Sequence, residues 1–263
     1  MVLIIRAAMK QRPDNKIRVW AVVFWLLVWQ GGSMALSAAY AHGHLLLASP
    51  IAALMRLGEL VGTANFWRTV FISASHIFGG FLLSCALGVV LAAAAARFRL
   101  LRELLSPLVA VVKAVPVVSF IILALVWLRA DMLPLVIAAL MVFPPVYLNV
   151  LTGIESADKS LLEMARVFHV PFSRRLRGIY LPAVLPHFRA AASLGLGLCW
   201  KSGVAAEVIG LPALSIGEAL YNAKVYFLTP DLFAWTAVVV AVSVGFEKLF
   251  LTAVAAVERR VNA

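Results

Sequence analysis

The chain has 263 residues, of which 63% are apolar and 13% charged, with a mean hydropathy of +0.99 and a formal net charge of +11. A soluble domain holds roughly 45–50% apolar and about 25% charged residues, so an ordinary globular enzyme is excluded and most of the chain must face lipid or other apolar helices. The positive charge does not mark a nucleic-acid binder, because the lysines and arginines flank apolar runs and form no continuous face. Long stretches rich in Leu, Ala and Val favour spanning helices over barrel strands, which would alternate polar and apolar residues.

A basic tail, residues 1–18, carries Arg6, Lys10, Arg12, Lys16 and Arg18. It precedes a first apolar run, 19–40, read as an uncleaved spanning helix because no small-x-small cleavage pattern closes it. Residues 41–68 are mixed. Ser49-Pro50 marks a helix start, and Leu54, Leu57, Leu60 and Val61 have the spacing of a short interfacial helix. A core of five further spans is expected over 69–257. The second span covers about 69–96, and the third about 104–128, with Lys113 and Pro116 inside it. The fourth covers about 132–151, with Pro134, Pro144 and Pro145; neighbouring helices re-satisfy the carbonyls that such prolines free. A polar interval, 153–181, follows. The fifth span covers about 183–209 and the sixth about 232–257, separated by a Gly/Pro-containing stretch too polar to span alone. Residues 258–263 form a short tail.

The lysines and arginines orient this arrangement. With the N-terminus inside, the outer segments hold only Arg56, Arg68, Arg129 and Lys224, and Lys113 and Lys201 lie within spans; the rest of the 23 basic residues are inside. The expectation is an all-α, multi-pass protein of six spans, with both ends and the 153–181 loop in the cytoplasm.

The polar interval reads as two short helices at an angle. Asp158 is a helix cap, and Leu161, Leu162, Met164, Ala165 and Phe168 form an apolar stripe. His169-Val170-Pro171 turns the chain. Pro171 or Ser173 opens a second helix through Tyr180, decorated by Arg174, Arg175 and Arg177, and Leu181-Pro182 stops it. Such a basic amphipathic loop is suited to a groove on another protein or to anionic lipid, and residue chemistry alone leaves both open.

The pattern Glu163-Met164-Ala165, three residues, His169, nine residues, Ile179-Tyr180-Leu181-Pro182 resembles the cytoplasmic signature of binding-protein-dependent ABC importer permeases. Glu163, Ala165, Ile179, Leu181 and Pro182 match in type and spacing. Met164 replaces an Ala, and His169 replaces a Gly that permits a tight turn. From about residue 45 onward the chain is similar to the nitrate/sulfonate/taurine type. The resemblance implies that this loop docks into a cytoplasmic ABC ATPase, which uses ATP and Mg. It implies further that an extracytoplasmic solute-binding protein delivers the substrate and that two permease subunits pair, as a homodimer. The chain itself has no Gly-x-x-x-x-Gly-Lys-Ser/Thr phosphate loop, so it is expected to be a transport subunit rather than an enzyme, binding no cofactor of its own.

Lys113, Lys201 and Glu207 are the charges expected inside spans, where charge is costly and tends to face a pathway or a partner. Two pathway lysines favour an anionic or zwitterionic solute, sulfonate-, nitrate- or taurine-like; a neutral vitamin precursor is the alternative within the class. A secondary transporter would show inverted repeats and midplane carboxylates, and a membrane-embedded enzyme a cluster of His and carboxylates. Neither pattern is visible. Cys85 and Cys199 fall inside apolar runs and read as buried free thiols. Gly79, Gly80, Gly88, Gly195 and Gly197 read as close helix contacts.

Overall fold

The structure, a computed structural model, describes residues 19–40 and 43–261; the basic tail and His42 lie outside them. In chain order the helices are α1 (Val19–Ala39), α2 (Gly43–Leu46), α3 (Pro50–Val61), α4 (Ala64–Arg97), α5 (Arg99–Ala114), α6 (Val117–Ala124), α7 (Leu133–Glu155), α8 (Lys159–Val167), α9 (Phe172–Arg175), α10 (Leu181–Gly210), α11 (Ile216–Val225) and α12 (Thr229–Val261). No strand occurs among the described residues.

Four helices, α1, α4, α7 and α12, are long and apolar enough to cross a membrane, and the α5–α6 pair adds a fifth if its bent halves count as one span. The remaining expected span, the fifth in chain order, is α10. Its 30 residues cover about 45 Å at ~1.5 Å per residue, but Arg189, Lys201, Glu207 and its small residues lower its hydropathy. Protein rather than lipid covers much of it: α10 packs along α7, α4 and α12.

The core is the α4–α7–α10 sandwich. Ile77, Phe81, Val142, Val146, Val150, Leu196, Cys199 and Trp200 are all essentially inaccessible. Gly88 and Gly203 let the backbones close up. A Cβ on Gly88 would lie 2.7 Å from a Val146 methyl, and one on Gly203 would lie 2.6 Å from Ile77. Gly80 and Gly195 serve the same crossings, whereas Gly197 faces open space and Gly79 makes only ordinary contact. Cys85 and Cys199 are free and buried, as expected.

Two expectations are corrected. The third span is not one straight helix: it breaks at Val115-Pro116 and bends by 105°. Val115 takes an extended conformation (φ −81°, ψ 133°), as the residue before a proline prefers, and Pro116 opens α6. The prolines of α7 do the opposite. Pro144 and Pro145 sit inside a continuous helix, because α4 and α10 hold both flanking turns.

The second correction concerns Leu181-Pro182, which does not stop the preceding helix. From α9 the chain passes through one π turn, Leu176–Tyr180, directly into α10. The Leu181 N–H donates to the Leu176 carbonyl, five residues back. This wide turn lets Pro182 enter the first turn of α10, where its missing N–H is tolerated.

Outside the sandwich, Ser49 caps α3 and accepts from the Ala52 N–H at 3.1 Å. Arg56 on α3 then reaches Asp231 at the start of α12 with two hydrogen bonds, 2.5 and 3.2 Å, and also meets Glu59 at 2.6 Å. Those bonds, the Asp231 one first, hold the guanidinium pKa above its ordinary value. This staple fixes the interfacial helix to the last span.

Candidate functional site

The loop between α7 and α10 is built by local chemistry. Asp158 accepts from the Ser160 N–H at 2.8 Å and from its hydroxyl at 2.7 Å, capping α8. These bonds hold the exposed carboxyl below its ordinary range. A group depressed in this way supports the cap above the ordinary carboxylate pKa. That support is lost as pH falls through the lower folded value.

The far end of α8 closes in a Schellman motif. The His169 N–H donates to the Arg166 carbonyl (3.1 Å), and the Val170 N–H to the Ala165 carbonyl (2.9 Å). That geometry needs a left-handed residue just past the helix, and His169 fills it with a φ of 51°. A histidine therefore stands in the conformation that glycine adopts most easily, its Nδ1 lying 3.0 Å from the Val167 carbonyl oxygen.

The expected apolar stripe divides in two. Ala165 is buried (2% exposed) and Leu162 half-buried, facing the bundle. Leu161, Met164, Val167 and Phe168 face outward, the last two more than 70% exposed. Positions 161, 164 and 168 share one helical side, so α8 presents an unpartnered apolar face. Glu163 is exposed and has no ion-pair partner among the described residues. Ile179, Leu181 and Pro182 are half-buried in the π turn and the first turn of α10, which join this loop to a core helix. The signature residues thus lie along the segment that runs from α8, through the His169 turn, to the start of α10.

A second feature lies within the span region. A cavity of about 460 Å³ opens between the end of α5, the Pro144-Pro145 segment of α7 and Leu198 of α10. Lys113 lines it, and so does Asn149, whose amide donates to the Pro145 carbonyl at 2.8 Å. Lys113 also sits in the last turn of α5, where a cation complements the helix dipole. Lys201 is exposed, three residues beyond Leu198 and so near the same side of α10. Neither lysine has an acidic partner within ion-pair distance among the described residues.

Glu207 is placed differently from both lysines. It is fully buried and accepts from the Gly217 N–H at 3.0 Å. One residue earlier, the Ile216 N–H donates to the Ser73 hydroxyl of α4 (2.9 Å), and one residue later the Glu218 N–H donates to Ser215 (3.0 Å). Three spare N–H groups at the start of α11 are therefore satisfied by three separate side chains. Gly217 is required there, since a Cβ would lie 2.5 Å from the Val208 nitrogen. Sequence reading missed α11 and this node. Its one local signal was Ser215-x-x-Glu218, a capping-box pattern. No group of three or more His, Cys, Asp or Glu is arranged to hold a metal among the described residues.

Comparison with known proteins agrees with this architecture. The chain is 27% identical over 237 residues, 86% of its length and 83% of the relative's, to SsuC of Bacillus subtilis (strain 168), provisionally named an aliphatic sulfonates transport permease protein. It is 28% identical over 209 residues to the riboflavin transport system permease protein RibX of Chloroflexus aurantiacus, covering 79% of this chain and 76% of that one. It is 24% identical over 160 residues, 60% of this chain and 57% of the relative, to the bicarbonate transport system permease protein CmpB of Synechococcus elongatus. A crystal structure of an amino acid ABC transporter with histidines has the same fold, with a TM-score of 0.59 at 16% identity, covering 78% of this chain and 97% of that one. The family described as binding-protein-dependent transport system inner membrane component matches residues 84–263. With the helical bundle, the signature loop and that match in place, the chain belongs to this family of inner-membrane ABC transporter permease components.

Proposed function

We propose that this chain is the membrane-spanning subunit of an ATP-driven importer for a small anionic or zwitterionic solute, of the sulfonate, nitrate or taurine kind. In this reading a solute-binding protein delivers the substrate outside. Two copies of the chain enclose the pathway, and both chain ends and the α8 loop face the cytoplasm. A separate ABC ATPase grips α8 and uses ATP and Mg, so the permease binds no cofactor and catalyses no reaction. Closure of the ATPases pushes α8, the π turn carries the push into α10, and the α4–α7–α10 sandwich turns its cavity outward.

The observation that carries the reading is the outward apolar face of α8 in a chain of this family. An exposed row of Leu161, Met164 and Phe168 fits a groove on a partner, and Glu163 beside it is free to pair with a basic group there. Lys113 and Lys201 are proposed as the pathway cations. Glu207, also expected on the pathway, is assigned to the support of α11 instead, since its carboxylate is fully buried.

Co-purification with an ATPase subunit and ATP-dependent uptake after reconstitution test the class. Glu163→Lys is expected to abolish stimulated ATP hydrolysis while the permease stays folded. Undiminished uptake in that variant, or uptake driven by an ion gradient with no ATPase present, contradicts the reading.

A second substrate reading is favoured by one finding, the similarity to a riboflavin permease protein. Competition of uptake by anionic and neutral solutes, in wild type and Lys201→Ala, separates them. An anion importer loses rate in the variant, whereas a carrier of neutral vitamin precursors does not.

A further inference from the structure

A second cavity, of about 430 Å³, opens where α4 and α7 end and α10 begins. Its walls are almost wholly apolar: Val89 and Ala93 of α4, Val150 of α7, Leu176 of the π turn and Val184 of α10. It is separate from the Lys113 cavity and shares no residue with it.

The mouth of this cleft is cationic. Arg97 lines it directly. Phe172 is another wall residue, and the Arg175 guanidinium lies over its ring at 6.0 Å. The Arg175 Nε is buried and has no hydrogen-bond partner, and a buried N–H left without an acceptor is rare and costly. Neither arginine has an acidic partner among the described residues. Glu103 and Glu155, two of the carboxylates at the same end of the bundle, are already paired with Arg99 and Arg102.

We propose that this cleft binds an anionic phospholipid. An acyl chain occupies the space between α4, α7 and the π turn, and the phosphate accepts hydrogen bonds from Arg97 and Arg175. Apolar walls call for a hydrocarbon tail, and two unpaired guanidiniums at the rim call for phosphate oxygens, which arginine binds in pairs. A zwitterionic headgroup would set its own cation against the same arginines. Tyr180, half-buried in the wall, is the amphipathic residue expected at headgroup depth. That this depth is the inner leaflet rests on the orientation proposed above; the binding itself does not.

The consequence is mechanical. The lipid would wedge the π turn against α4 and α7, at the joint through which motion of α8 reaches α10. Anionic lipid would then tune coupling without touching the transported solute.

The test uses the full chain purified in detergent and its thermal unfolding. The probes are short-chain phosphatidylglycerol, phosphatidylcholine with the same acyl chains, and glycerol phosphate. Phosphatidylglycerol is expected to raise the unfolding temperature, reaching half its effect at about tenfold lower concentration than phosphatidylcholine. Glycerol phosphate alone is expected to do nothing. Ala93→Phe, which fills the cleft from an exposed position, is expected to remove the response to both lipids. Arg97→Gln with Arg175→Gln is expected to bring phosphatidylglycerol down to the phosphatidylcholine level without lowering the lipid-free unfolding temperature. Equal responses to the two lipids in wild type would overturn the proposal. So would a preference for phosphatidylglycerol that survives both variants, or an effect of glycerol phosphate as large as that of the lipid. None of these readouts needs an ATPase or a transported solute, so failure here is distinct from failure of the importer reading.

Discussion

Helices α8 and α11 are alike in sequence terms and opposite in structure. Each is short and placed between two long helices, and each ends in a left-handed residue that is not glycine, His169 (φ 51°) and Phe227 (φ 55°). Yet α11 is held from three sides, by Ser73, Glu207 and Ser215 at its first turn and by packing on α10 and α12. Helix α8 packs extensively on no other helix and is held by its own caps. The difference separates two kinds of polar segment in a membrane protein. One is fixed to the core and moves only with it. The other keeps an apolar face free, the mark of a surface that a partner covers.

Substitutions sharpen that contrast, beginning with the largest expected effect. Gly217→Ala should cost about 3 kcal/mol, the upper range for forced overpacking, because the new methyl meets the backbone of α10. Its unfolding temperature in detergent should fall by several degrees and uptake should be lost with it. Glu207→Ala leaves the Gly217 N–H buried without an acceptor. A loss of about 1–3 kcal/mol is expected, with faster amide exchange in the first turn of α11 as the local sign. Phe168→Asp should leave stability within about 0.5 kcal/mol but abolish retention of the ATPase on affinity purification. Equal stability losses in Gly217→Ala and Phe168→Asp would erase the distinction between the two helices.

The smallest effect lies at the turn. His169→Gly removes a Cβ from the left-handed region but adds freedom to the unfolded chain, so the net change should stay within about 1 kcal/mol. His169→Val should be clearly worse, since a β-branched residue fits a positive φ poorly. Amide exchange of α8 in both variants reads this directly. If Gly and Val behave alike, the left-handed turn is not what holds the end of α8.

What could be read from the residues follows the range of the interactions involved. Asp158, Ser49 and Pro171 act within a few positions of themselves, and each caps a helix as its neighbours dictate. The His169 turn was legible for the same reason, through its place in the signature. The unbroken helix at Pro144-Pro145 was expected from its place inside an apolar run, but the break at Pro116 was not. A proline only offers a bend, and packing by α4 and α10 decides whether it is taken. The Ser73–Ile216 bond joins residues 143 positions apart, so no local pattern shows it. Glu207 illustrates the same limit. Its charge in an apolar run pointed to a pathway, and only the approach of Gly217 reveals its support of α11.

The central claim is that the outward face of α8 is the grip for a cytoplasmic ATPase, and cysteine labelling tests it most directly. In right-side-out and inverted membrane vesicles carrying the assembled transporter, Val167→Cys would be treated with an impermeant maleimide. The account predicts labelling only in inverted vesicles, and strong protection whenever the ATPase is bound. Labelling from the external side, or equal labelling with and without the ATPase, would contradict it.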